Sequence, residues 1–193
     1  MAAPSVASDV FRMAIDALPP RDREGRLHVV VESPRGSQVK LKFEPELGAF
    51  TLSRALPLGV NYPYDWGFIP GTRAPDGDPL DAMVLLDVPT YPGVVLVCEP
   101  IGVLEVEQRR ADHDGVERND RILAMPVGAP RLDTRDAREL PARTREEIEL
   151  FFQTVVALEC KELKLLGWGG PSAADKLIEQ AIKDKGKPAA GGR

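Results

Sequence analysis

Cysteine and histidine are scarce in this chain, with two of each in 193 residues. Cys98 and Cys160 lie far apart with neither CxxC spacing nor a neighbouring histidine, which argues against a disulfide framework and a zinc site. His28 and His113 have no paired ligand in the sequence, so neither is assigned to a metal. No stretch approaches the roughly 20 apolar residues of a membrane helix, and Met1 to Pro20 lacks the basic segment and long apolar run of a secretory leader. A cytoplasmic location without a membrane partner is therefore expected. Basic charge is in deficit: the formal net charge is -5, whereas nucleic acid needs a basic surface, so no nucleic-acid partner is expected. An anionic ligand must be met by a local cluster of basic groups or through metal ions. A P-loop, a dinucleotide fingerprint and internal repeats are also missing.

What is present fits one domain over residues 1–193, with residues 1–20 as an N-terminal extension and 184–193 as a disordered tail; 43% of residues are hydrophobic and 28% charged. Ser8 ahead of Val10, Phe11, Met13, Ala14 and Leu18 predicts a short leading helix that Pro19-Pro20 stops. Leu27–Glu32, Val39–Phe43 and Ala49–Leu52 read as strands of an antiparallel meander, broken by turn-rich Ser33-Pro34-Arg35-Gly36 and Pro45-Glu46-Leu47-Gly48. Further strand-like runs are Met83–Leu86, Val94–Val106 and Ile122–Met125. Thr144 can cap a helix with Glu146 and Glu147 in its first turn and with Ile148, Phe151, Phe152, Val155 and Glu159 at helical steps. Ser172-Ala173-Ala174-Asp175 resembles a second helix start, ahead of Leu177, Ile178, Ala181 and Ile182. Strands first and helices last, with no βαβ alternation, predict an α+β domain: a small antiparallel barrel or sheet with C-terminal helices against it, OB-like closure being one arrangement the pattern allows.

Side chains that do chemistry are densest between Tyr62 and Asp87. Asp76 and Asp78, two apart, point the same way in an extended segment, and Pro79 can bend Asp81 back toward them. Three converging carboxylates repel unless a cation neutralises them, and hard oxygen ligands select Mg²⁺ or Mn²⁺. Asp, Gly and Pro are equally common in turns, so the loop by itself fits a solvated turn at least as well as a metal site. An EF-hand is excluded by Leu80 and Asp81 at ligand and glycine positions.

Asp76-Gly77-Asp78-Pro79-Leu80-Asp81 resembles the signature of the family I soluble inorganic pyrophosphatases, and Tyr62-Pro63 with Trp66-Gly67-Phe68-Ile69-Pro70-Gly71-Thr72 resembles the segment before it. Val31-Glu32-Ser33-Pro34, Lys40, Leu52-Ser53-Arg54, Pro92-Gly93, Pro100-Ile101-Gly102-Val103-Leu104 and Ala124-Met125-Pro126 follow the family in order, so the resemblance spans about residues 27 to 170. It implies a five-stranded OB-like barrel with flanking helices, and hydrolysis of pyrophosphate with several Mg²⁺ ions, Mn²⁺ being an alternative. By position, Asp76 and Asp81 ligate metal and Asp78 holds and deprotonates the nucleophilic water. Glu32, Asp112 and either Asn119 or Asp120 join the metal set. Lys40, Arg54, Tyr62, Trp66 and Arg121 face the substrate. The resemblance further implies a homo-oligomer, often a hexamer.

Departures from the family fall on functional positions. Lys42 stands for an acidic residue, Trp66 for a tyrosine and Arg121 for a lysine. Val155 and Val156 stand for a Tyr-Lys pair that contacts phosphate. The second acidic loop, Asp112-His113-Asp114-Gly115 with Val116 to Arg121, is longer than the family's. Two other readings therefore stay open: hydrolysis of a different phosphoanhydride, and a weakly active or regulatory protein that keeps the fold.

Overall fold

A computed structural model of the chain describes residues 15–109, 115–128, 134–157 and 162–186. Among the described residues are nine strands and two α-helices: β1 (Leu27–Ser33), β2 (Val39–Glu44), β3 (Ala49–Ala55), β4 (Asp65–Ile69), β5 (Leu80–Val84), β6 (Val95–Arg109), β7 (Val116–Arg118), β8 (Arg121–Pro126), α1 (Ala142–Ala157), β9 (Glu162–Gly169) and α2 (Pro171–Lys185). The expected leading helix lies outside the described residues apart from a 3-10 turn at Ile15–Ala17. α2 runs to Lys185, into the segment expected as a tail.

The meander expected of the first three strands is not formed. β1 is buried at every position but His28, so it needs partners on both edges, and it finds them in β4 and β6. β2 is only half-buried and pairs with β3 in a separate two-stranded sheet. The large sheet runs β1-β4-β5-β8-β6-β7, with β9 also on β6. β5 and β8 pair in parallel, a correction to the all-antiparallel expectation. Their parallel register follows from the long excursion through β6 between them, since a short turn cannot join parallel neighbours.

β4 has no counterpart among the expected strands because Gly67 interrupts its apolar pattern. A Cβ on Gly67 would lie 1.8 Å from the Val30 carbonyl oxygen, so the close approach of β1 to β4 requires glycine there. β9 also escapes the sequence pattern; its half-buried residues alternate with exposed ones along one edge of β6.

The helices cover the sheet through the faces their spacing predicts. α1 buries Ile148, Phe151, Phe152, Val155 and Val156 against a cluster with Trp66, Leu104 and Leu123. It begins two residues before Thr144, where the Arg145 amide donates to the Pro141 carbonyl at 3.1 Å, so Thr144 is inside the first turn and does not cap it. α2 starts with proline at its first turn and packs Ala174, Ile178 and Ala181 on a second cluster with Leu27, Val29 and Ile122. Among the described residues, no helix is long and apolar enough to cross a membrane.

Candidate active site

The acidic loop joins β4 to β5, and Thr72 ties its two ends together. The buried Thr72 hydroxyl donates to the Ile69 carbonyl at 2.6 Å and accepts from the Leu80 amide at 2.9 Å. Inside the loop the Ala74 amide donates to the Asp78 carbonyl at 2.8 Å, and the Asp78 amide donates to the Asp76 carboxylate at 3.1 Å. Gly77 takes φ +91°, a conformation that glycine adopts without strain. Asp81 follows as the second residue of β5, paired with Phe68.

Opposite this loop, Lys40 and Arg54 are cross-strand partners on β2 and β3. Together with Asp76, Asp78, Asp81, Asn119 and Arg121 they line a cleft of about 390 Å³. The far wall is apolar, formed by Tyr62, Trp66 and the buried face of α1: Phe151, Phe152, Val155 and Val156. Tyr62 stacks near Trp66 with ring centroids 6.3 Å apart and tilts against Phe151 at 5.0 Å.

Arg121, the first residue of β8 and 6% exposed, is the most constrained charge. Its guanidinium lies 5.6 Å from the ring centroids of both Trp66 and Phe152, a geometry that favours a cation between aromatic faces. Nη1 ion-pairs with Asp81 at 3.0 Å and donates to the Asn119 carbonyl at 2.5 Å and to the Asn119 side-chain oxygen. From the other side of the loop, Lys42 Nζ reaches both oxygens of Asp78, at 3.1 and 3.3 Å. Two of the three loop carboxylates thus carry an internal cation.

Burial pushes the Glu32 carboxyl up to about 7, against a hydrogen bond from the Phe43 amide, with the Asp81 charge adding to the rise. Burial likewise raises Asp76, helped by Asp81 and opposed by the Asp78 amide. Burial also raises the Tyr62 phenol, keeping it a neutral donor. For Lys42 burial works against the charge, but the Asp78, Glu44 and Glu32 carboxylates together outweigh it and the pKa is raised.

Of the residues expected from sequence, Asp76, Asp78, Asp81, Lys40, Arg54, Tyr62, Trp66, Asn119 and Arg121 share the cleft. Glu32 lies beside it in an adjoining pocket of about 290 Å³ that Lys40, Asp78 and Asp81 also line. Asp120, the expected alternative to Asn119, stands apart from these residues. It does not line the cleft; its carboxylate accepts from the Val106 amide at 2.8 Å and from Arg118 at 2.9 Å, because it anchors the turn between β7 and β8. Asp112 lies outside the described residues. Sequence reasoning missed Gln108 and Glu117, cross-strand partners on β6 and β7 that both line the cleft. The alternation of Val116-Glu117-Arg118 was the available signal, hidden inside a charge-rich loop.

The donor set at the cleft is all oxygen: the carboxylates of Asp76, Asp78, Asp81 and Glu117 and the amide of Asn119. Such a set fits a hard divalent cation. Among the described residues, no three carboxylate, histidine or cysteine side chains are already gathered as a finished metal cage. Trp66 Nε1 and Arg121 Nε are buried without a hydrogen-bond partner, two donors beside an otherwise charged cleft.

Comparison with known proteins agrees with this geometry. The family model described as inorganic pyrophosphatase matches residues 29–185. An inorganic pyrophosphatase of Synechocystis sp. is 39% identical over 173 residues, covering 89% of this chain and 99% of that protein. The crystal structure of inorganic pyrophosphatase from Thermus thermophilus superposes with a TM-score of 0.82 at 36% identity, covering 90% of this chain and 99% of the other. That of an inorganic pyrophosphatase from Neisseria gonorrhoeae gives 0.77 at 32% identity, covering 88% and 97%.

Proposed function

The chain belongs to the inorganic pyrophosphatase family, and on that premise we propose that it hydrolyses inorganic pyrophosphate to two phosphates in the cleft between the acidic loop, β2–β3 and α1. The observation that carries this reading is the gathering of Asp76, Asp78 and Asp81 in one cleft with Lys40, Arg54 and Arg121.

Divalent cations, Mg²⁺ with Mn²⁺ as an alternative, would acidify the attacking water and offset the charge of the substrate. Asp76 and Asp81 would hold them, joined by Glu117 and Asn119, with Glu32 in reach from the adjoining pocket and Asp112 contributing from the second acidic loop. A carboxylate oxygen of Asp78 accepts the proton of the attacking water as the new P–O bond forms and the bridging P–O bond breaks. Lys40 and Arg54, from facing strand positions, neutralise the oxygens of the leaving phosphate; the lysine acts as a point charge and the arginine grips with two donors. Trp66 Nε1 and the neutral Tyr62 hydroxyl are donors available to phosphate oxygens. The valines of α1 exclude water from that side but offer phosphate nothing, which favours as a second reading a protein of low turnover, or one acting on another phosphoanhydride.

The same premise supports finer proposals. β1 pairs with both β4 and β6, which supports an OB-like barrel within a single domain over residues 1–193. A homo-oligomer, hexameric by family resemblance, and a cytoplasmic location complete the proposal. Removing the metal is its first test: phosphate release from Mg-pyrophosphate is expected to vanish in excess chelator and return when Mg²⁺ is restored. Hydrolysis that persists in chelator would exclude the mechanism, and a trace rate with Mg²⁺ would favour the second reading.

A further inference from the structure

Lys42 and Asp78 are 36 residues apart in sequence, yet the Lys42 ammonium sits 3.1 and 3.3 Å from the two carboxylate oxygens of Asp78. One cation therefore occupies both acceptor edges of a loop carboxylate. The Lys42 backbone is held in place, since β2 pairs it with Thr51 of β3 and the Thr51 hydroxyl donates to the Lys42 carbonyl at 3.4 Å. Lys42 also lines the adjoining pocket, where the other charged groups are Glu32, Lys40, Glu44, Asp78 and Asp81. Without its ammonium, the charged groups lining that space among the described residues would be four carboxylates and Lys40. Like charges so arranged repel unless a cation comes between them, and oxygen donors favour a hard one.

We propose that Lys42 is a resident counter-cation of the acidic loop, its ammonium on Asp78 opposing the uptake of divalent cations by the neighbouring Asp76 and Asp81. The inference rests on the reading that this loop takes up divalent cations and adds that the protein's own lysine weakens that uptake. Lysine suits the role: its ammonium is a compact charge on a flexible four-carbon stem, able to swing away when a divalent ion arrives. Two cations drawn to one carboxylate loop are coupled, and the coupling is reciprocal: removing one tightens the binding of the other. Arg121 is the contrasting case. Buried between Trp66 and Phe152, it stays on Asp81, whereas the Lys42 side chain is 42% exposed and can leave.

The test is Mn²⁺ binding to the full chain without substrate, followed by electron paramagnetic resonance and by calorimetry. Lys42→Gln is expected to tighten Mn²⁺ binding by about fivefold or more, the size of an ordinary two-site coupling. Lys42→Glu, which adds an oxygen donor, is expected to tighten it further or to add a binding equivalent. Arg143→Gln, which removes a charge from the outer face of α1, serves as the control and is expected to change Mn²⁺ affinity by less than about twofold, since exposed distant charges are screened. Circular dichroism establishes that each variant folds. Equal or weaker Mn²⁺ binding in both Lys42 variants would overturn the inference while leaving the metal loop in place. No Mn²⁺ binding by wild type or variants would overturn the reading of the loop and the inference together, independently of any activity assay.

Discussion

Arg121 concentrates several constraints on one side chain. It is a buried cation whose compensation comes from Asp81, two oxygens of Asn119 and two aromatic faces. Lysine would keep the charge but lose the fork that serves Asp81 and Asn119 at once. Arg121→Lys is accordingly expected to raise KM more than it lowers kcat, while Arg121→Met should lower kcat/KM by about 10²-fold, the usual effect of removing one charge-stabilising group; steady-state kinetics on both variants checks this. Glu32 makes a thermodynamic prediction. Its folded pKa of about 7 exceeds the ordinary glutamate value of 4.5, so the fold binds the proton more tightly than the unfolded chain does. The stabilisation is complete below about pH 4.5 and is lost as pH rises through about 7. In chelator, urea unfolding should show stability falling by up to roughly 3 kcal/mol across that window on account of this group. Glu32→Gln keeps an acceptor for the Phe43 amide and should flatten the fall.

At the scale of elements, what could be read from sequence divides by how local its cause is. The apolar face of α1 was legible because helical spacing alone sets it: Ile148, Phe151, Phe152 and Val155 are all buried. Asp76, Asp78 and Asp81 were legible as a set, and Lys40 and Arg54 as their partners, because each sits in a short motif. β4 was not legible, since Gly67 looks like a break and its reason is a strand it meets 37 residues upstream at Val30. The Lys42–Asp78 pair and the entry of Glu117 into the cleft were hidden for the same reason: both depend on which strands become neighbours. Asn119 and Asp120 could not be told apart in the sequence: Asn119 lines the cleft, whereas the Asp120 carboxylate accepts from the Val106 amide. Gly67→Ala tests the element most sharply. Its Cβ would strike backbone, which cannot rotate away, so β1 and β4 must part beside Glu32 and Trp66; a loss of roughly 3 kcal/mol or more in urea unfolding is expected, with the residual fold losing activity.

For the molecule as a whole, the deficit of positive charge is reconciled with an anionic substrate by local arrangement. The net charge is -5, but the sheet topology gathers Lys40 from β2, Arg54 from β3 and Arg121 from β8 around one carboxylate loop. Family membership, fold and cleft all agree on phosphoanhydride chemistry with divalent cations; the valines of α1 and the internal cations on Asp78 and Asp81 bear on how fast it runs. The most direct measurement is phosphate release from pyrophosphate in excess Mg²⁺ by the wild-type chain and by Asp78→Asn, at equal concentration and with folding verified. Sustained multiple turnover is expected of the wild type, with a kcat lower by about 10²- to 10⁴-fold in Asp78→Asn, the range for loss of a general base. Equal rates in the two proteins, or a wild type that releases no phosphate, would contradict that expectation.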